Sequence, residues 1–244
     1  MALIACEDTR VTKVLLDRYE IQAPLLSLQK FNEAERSDRL LKQLLSGDDI
    51  ALISDAGTPN IADPGAYLIR YLRSEGVPIV PIPGPSSVTC LASVSGELMN
   101  QFHFAGFFPK KQAAQVSLLG TVSRLGCPVI FFETAKRLRA SLVVLEQFDQ
   151  VQTVVLAKEL TKRFETLIRG SVAEVSEQLD SVTVKGEWCM MVTFSEPVPE
   201  NVNETVAMLA QKGYSRDQVI DIGTRYHQLS KNAIYEAWLK AGMG

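Results

Sequence analysis

Two glycine turns and a set of charged residues at the ends of apolar runs hold the chemistry this chain could do. Asp55-Ala-Gly-Thr-Pro59 follows the run Ile50–Ser54, and Pro83-Gly-Pro-Ser-Ser87 follows Val77–Ile82. Glycine at such a turn lets a ligand approach the backbone, and the helical stretch Val88–Val94 beyond the second turn begins with unpaired amides. Plain turn geometry would also account for Gly57 and Gly84. Polar residues at the ends of predicted strands could act on a substrate: Glu7, Asp8, Arg10, Asn32, Glu33, Glu133, Lys158, Glu159, Lys162 and Glu165. A carboxylate at Glu7 or Asp8 could face a cleft and accept a proton. Arg10 suits either a helix-start ion pair with one of them or a phosphate contact. Lys158 and Lys162 are spaced to reach a phosphate or to lower a hydroxyl pKa.

The surrounding pattern predicts what would position these groups. Leu3–Cys6 reads as a strand, Val11–Tyr19 as a helix and Pro24–Leu28 as a short strand. Asn32-Glu-Ala-Glu35 has the form of a capping box, with Asn32 as N-cap of a helix that Gly47 stops. Ile50–Ser54 and Val77–Ile82 read as neighbouring parallel strands joined by the amphipathic helix Ala66–Glu75. Both turns then open at one carboxyl edge, where open α/β sheets bind ligands. The alternation from residue 2 to about 96 predicts a doubly wound parallel sheet in a first α/β domain over 1–107, with His103–Pro109 as an edge strand leading to a linker.

A second α/β domain is expected over 108–196. Its predicted strands are Pro128–Glu133, Thr153–Ala157, Phe164–Ile168 and Trp188–Phe194; its helices are Ala113–Leu125, Arg137–Phe148 and Val172–Leu179. Too few residues join the strands at Thr153 and Phe164 for a helical crossover, so they should pair antiparallel in a mixed sheet. Residues 197–244, after a proline-punctuated linker, read as a small domain of three helices, Glu204–Lys212, Arg216–Tyr226 and Lys231–Ala241. His227 is a turn residue between the last two, His103 belongs to a strand, and neither is given a catalytic role.

Composition narrows the classes. With 46% apolar residues in 244, the chain can build ordinary cores. No run of eighteen apolar residues suggests a membrane span, and the first residues lack a secretory pattern. Cys6, Cys90, Cys127 and Cys189 stand singly, so no metal site is expected and a cytoplasmic location is the natural reading. A net charge of −3 argues against indiscriminate nucleic-acid binding. Phe108–Gly170 nevertheless holds ten basic residues against five acidic ones, which fits a solvated surface or a face toward an anionic partner such as RNA.

The motifs occur in a telling order: Glu7-Asp-Thr-Arg10, Ser54-Asp-Ala-Gly-Thr-Pro59, Asp63-Pro-Gly65, Pro81-Ile-Pro-Gly-Pro-Ser86, Phe131-Phe-Glu133, Lys158-Glu-Leu-Thr-Lys162 with Phe164-Glu-Thr166, and Gly186-Glu187. That series closely resembles the family of ribosomal RNA small subunit methyltransferase I, a branch of the tetrapyrrole-methylase-like, S-adenosylmethionine-dependent methyltransferases. The resemblance covers essentially the whole chain. It implies a two-domain α/β fold with a small helical C-terminal domain, and S-adenosylmethionine folded into the cleft between the α/β domains. It further implies methylation of a cytidine ribose 2′-hydroxyl in 16S rRNA, and a homodimer. By similarity the cofactor would meet Asp55, Ala56, Gly57, Thr58, Ser86 and Ser87 on the turns, and Phe132, Leu156, Ala157 and Glu187 opposite. Phe132 and Ala157 fit a plain core equally well. For this chemistry Asp8 and Glu133 rank first as proton acceptor, with Lys162 as a catalytic cation. Glu7, Arg10, Asn32, Glu33, Lys158, Glu159 and Glu165 are left to hold substrate. The family usually carries arginine at Lys158.

Family members begin with a further strand and a Thr-Pro-Ile-Gly-Asn-Leu-like loop before the segment matching Leu3. Either the start is misassigned or the protein is shortened; only if it is truly this short does the resemblance imply an open sheet edge, poor stability and little or no activity. Two other readings follow: a tetrapyrrole C-methyltransferase, and an inactive RNA-binding remnant. A phosphate-loop nucleotide enzyme is disfavoured, because neither Gly-x-Gly-x-x-Gly nor a Lys-Ser/Thr loop is present.

Overall fold

The computed structural model describes residues 1–97, 100–195, 202–225 and 229–242. They form two compact units, Met1–Phe194 and Ser195–Gly244. The first unit contains two sheets. In the smaller one, β1 (Leu3–Cys6) lies between β2 (Leu25–Ser27) and β3 (Ile50–Ile53), all parallel, with Ile4 opposite Leu25 and Leu3 opposite Ile50. Parallel neighbours need crossovers, supplied by α1 (Thr9–Arg18) and α2 (Glu33–Leu45). Leu3, Ala5, Leu26, Leu40 and Leu41 form one core with Leu68 and Leu72 of α3 (Ala66–Ser74).

The fold departs from two local expectations. Val77–Ile82 forms no strand. Pro78, Pro81 and Pro83 remove three amides from a short segment, which a sheet ladder does not tolerate. Val77 and Ile79 still pack on the core of the first sheet, while Val80 and Ile82 are exposed. The capping box is also absent. Asn32 stands at the N-cap of α2, but its side chain accepts the Gln29 amide instead of a helix amide. Its neighbour Glu33 is buried and serves a different helix: its Oε1 accepts from the Gly65 amide at 3.1 Å and the Leu68 amide at 2.9 Å, at the start of α3. Local sequence could not show this cap, because its partners lie more than thirty residues away.

The larger sheet is mixed, in the order β4 (His103–Phe107), β5 (Val129–Thr134), β8 (Glu187–Phe194), β6 (Val151–Lys158), β7 (Thr166–Gly170). Only β4 and β5 run parallel; β5–β8, β8–β6 and β6–β7 are antiparallel. The expected antiparallel pairing of β6 with β7 is thus present, although β7 begins at Thr166 and leaves Phe164 and Glu165 in the preceding loop. The strand at His103, expected with the first domain, instead pairs with β5 at the edge of this second sheet.

Strand alternation divides the sheet's side chains between two layers. Phe131, Val154, Leu156, Met190 and Val192 face α5 (Gln112–Val122), α6 (Leu138–Glu146) and α7 (Val172–Asp180). Ile130, Val155, Ala157, Cys189 and Met191 face Val88 and Leu91 of α4 (Ser87–Val94). The helix that follows the second glycine turn therefore packs on the second sheet and brings that turn to its edge.

The second unit holds α8 (Val202–Gln211), α9 (Arg216–Arg225) and α10 (Lys231–Lys240) around Val206, Leu209, Val219, Ile234 and Ala237. His227 and linker residues 196–201 lie outside the described residues. No helix among the described residues is long and apolar enough to cross a membrane.

Candidate active site

The two glycine turns meet directly: the Thr58 hydroxyl donates to the Pro85 carbonyl at 2.9 Å. At Gly57 the backbone takes φ +73° with open space where a Cβ would stand, so the chain there is bare toward a ligand. Asp55 anchors its turn to the end of β1, accepting the Asp8 amide at 3.2 Å. Beside these turns lies a cavity of about 490 Å³. That volume suits a nucleoside-sized ligand.

The opposite wall comes from the ends of β6 and β8. Glu159 and Glu187 exchange bonds: the Glu159 amide donates to the Glu187 carbonyl, and the Glu187 amide donates to Glu159 Oε1 at 2.9 Å. Lys162 Nζ lies 2.7 Å from Glu187 and 3.4 Å from Glu159. Partial burial alone would lower the Lys162 pKa, but Glu187 and Glu159 outweigh it and hold the ammonium above its ordinary value. The Glu187 amide, helped by Lys162, holds the Glu159 carboxyl below its usual range. Gly186 makes this knot possible: it sits at φ +116°, and a Cβ there would come 2.9 Å from Glu159 Cγ. An apolar face completes the wall. Phe132 meets Phe104 and Phe107 edge to face, with ring centres 4.9 and 5.5 Å apart, and Ala157 lies nearby.

The cavity brings together many of the residues singled out from sequence. Asp55, Ala56, Gly57, Thr58, Ser86, Ser87, Phe132, Ala157 and Glu187 line it, as do Glu133, Glu159 and Lys162. Leu156 does not, because alternation turns it into the core under the helices on the other face. Glu7, Asp8, Arg10, Asn32, Glu33, Lys158 and Glu165 are also absent from the lining. Asp8 caps α1 through the Arg10 amide and pairs with the Arg10 guanidinium at 2.6 Å. Those bonds hold its carboxyl down at about 2, which makes it a weak base at neutral pH. Lys158 is buried, with Nζ donating to the Thr183 carbonyl at 3.0 Å. Glu165 accepts the Thr161 amide at 2.6 Å and shapes the loop. Glu133 lines the cavity, but Arg137 at 2.6 Å, Ser141 at 2.7 Å and the Thr134 amide at 2.5 Å engage its carboxylate.

Asp63 is the residue that sequence reading passed over. It lines the cavity, and its carboxyl is pushed up by partial burial and then by the nearby Asp55, with Lys30 opposing. Glu7 is raised in the same way, by burial first and then by Asp63 and Asp55. Repulsion of this kind needs three segments folded together, so no spacing announces it. The sole signal was the motif Asp63-Pro-Gly65 before α3. Among the described residues no three His, Cys, Asp or Glu side chains could hold a metal ion together.

The residues present fit S-adenosylmethionine. The bare backbone of the twin turns and the phenyl wall suit a nucleoside, and Asp55, Asp63 and Glu187 offer negative charge to its cationic groups.

Comparison with known proteins agrees with this architecture. Residues 1–176 match the family model for tetrapyrrole (corrin/porphyrin) methylases. Ribosomal RNA small subunit methyltransferase I of Xylella fastidiosa is 40% identical over 195 residues, covering 79% of this chain and 71% of that protein. The protein of the same name from Vibrio cholerae is 36% identical over 242 residues, covering 96% and 84%. Among solved structures, diphthine synthase superposes with a TM-score of 0.57 at 13% identity, covering 79% of this chain and 78% of that one, a likeness of fold alone. The chain belongs to the tetrapyrrole methylase family, in the branch of ribosomal RNA small subunit methyltransferase I.

Proposed function

We propose that this protein is an S-adenosylmethionine-dependent methyltransferase that modifies a cytidine ribose 2′-hydroxyl in 16S rRNA. The observation that carries the reading is the convergence of the twin glycine turns with the Glu159–Lys162–Glu187 knot on one cavity, in a chain of this family. When bound, the cofactor supplies an electrophilic methyl group on a positively charged sulfur. The protein's own part is to bind, align and take up a proton. Bare backbone at Gly57 and the hydroxyl-tied turn at Thr58 shape one wall. Phe132 and Ala157 present apolar surface on the other. Fixed alignment of this kind can lower a barrier by roughly 7–11 kcal/mol.

A hydroxyl that attacks carbon must lose its proton. Asp63 Oδ is the better acceptor than Asp8, because it lines the cavity and its pKa is raised, whereas Arg10 holds Asp8 down. Lys162 keeps Glu187 and Glu159 in place. Glu133 is a structural anchor for α6 through Ser141 and Arg137.

A cytoplasmic location is supported by four free cysteines. The exposed Val11, Val14 and Leu15 of α1 would suit pairing with a second copy. The test is transfer of radiolabelled methyl from S-adenosylmethionine to 30S subunits by the purified chain. Label in 16S rRNA is expected. Label on a porphyrinoid acceptor and none on RNA would overturn the reading in favour of tetrapyrrole methylation.

A further inference from the structure

The loop between β6 and β7 presents a feature that cofactor binding does not use. Phe164 is 68% exposed, an unusual state for a phenylalanine, and the Arg163 guanidinium lies over its ring at 5.5 Å from the centre. The loop is held firmly. Glu159 and Thr161 take positive φ, the Thr161 amide donates to Glu165, and the Lys162 and Glu165 amides donate to the carbonyls of Glu159 and Lys162. Lys162 then ties the loop to Glu187 in the cavity wall. Phe164 is two residues beyond Lys162, so its Cα lies within about 8 Å of a residue that lines the cavity.

An exposed aromatic ring layered with arginine, fixed beside a ribose-modifying site, has the chemistry that stacks on an unpaired nucleobase. Resting on the methyltransferase reading above, we propose that Arg163 and Phe164 form the platform on which a nucleobase of the RNA substrate stacks, at or next to the modified ribose. Single-stranded RNA is recognised by stacking splayed bases on aromatic and guanidinium planes, which double-stranded RNA does not offer. The platform therefore selects a nucleotide that can leave its helix. Neither residue lines the cofactor cavity, so its loss should be felt by RNA alone.

The test is single-turnover methyl transfer to 30S subunits by the full chain carrying Phe164→Ala, Phe164→Trp or Arg163→Lys. S-adenosylmethionine affinity and melting temperature are measured alongside. Phe164→Ala is expected to raise the half-saturating 30S concentration roughly 5- to 150-fold, the range of one base–aromatic stack. Cofactor affinity and melting should not move, and Phe164→Trp should restore RNA binding. Arg163→Lys keeps the charge but loses the planar stack, and should weaken RNA in the same direction. The platform is overturned if Phe164→Ala leaves half-saturation unchanged, if its melting temperature falls in step with RNA affinity, or if tryptophan fails to rescue. An unaltered chain that labels no RNA would instead sink the methyltransferase reading, and the platform with it.

Discussion

As the proposed proton acceptor, Asp63 would carry a conflict between stability and function that a single substitution can expose. Its carboxyl is raised by partial burial and by Asp55, so its folded pKa lies above its unfolded one. Above the folded value the ionised group is better tolerated unfolded, and it costs stability. Below the unfolded value both states are protonated and the cost vanishes. Asp63→Asn should therefore raise the melting temperature at neutral pH, with the gain fading as pH falls through the raised pKa. The same variant should slow methyl transfer by roughly 10²–10⁴-fold and remove the acid limb of its pH profile. Thermal melts and rates across pH check both halves, and a variant with wild-type rate would exclude Asp63 as proton acceptor. This role was illegible in the sequence, because burial and the approach of Asp55 exist only in the fold. Asp8, by contrast, was conspicuous beside a strand, yet its neighbour Arg10 occupies it. Glu133 was conspicuous for the same reason and is engaged in the same way.

At the scale of elements, two joints hold the cavity's walls. Glu33 of α2 satisfies the first amides of α3, which follows the Asp55–Gly65 loop. Glu33→Ala would leave buried amides without an acceptor and should cost about 2 kcal/mol in denaturant unfolding, while Glu33→Gln, which keeps an oxygen, should cost less. Equal losses would refute the cap. The second joint is Gly186, where an alanine meets both a strained φ and the Glu159 side chain. Strain of this order implies roughly tenfold weaker S-adenosylmethionine binding for Gly186→Ala, measurable by calorimetry. Elements with a clean period were readable: the antiparallel β6–β7 pair and the mixed sheet follow from connection length and apolar pattern. Val77–Ile82 misled because β-branched residues signal strand while the interleaved prolines forbid its ladder. Leu156 falls outside the cavity lining because its neighbour Ala157 is on the cavity face, and a one-residue step reverses sides.

For the molecule as a whole, the turn motifs and the strand-end residues gain meaning only together. α4 carries the second turn from the first sheet's neighbourhood onto the face of the second, and the Thr58–Pro85 bond joins the turns at the cavity. On the proposed reading, RNA meets the protein at the exposed Arg163–Phe164 pair, since Arg137, Arg139, Lys158, Lys162 and Arg169 of the basic stretch Phe108–Gly170 are engaged within the fold. The central claim is that the methyl group placed there ends on a ribose oxygen. A 2′-O-methyl blocks alkaline cleavage at its own linkage, so the decisive measurement is alkaline digestion of 16S rRNA labelled by this protein. The account predicts that the label survives in one alkali-resistant dinucleotide beginning with cytidine. Label released entirely in mononucleotides, as a base methyl would be, would contradict it.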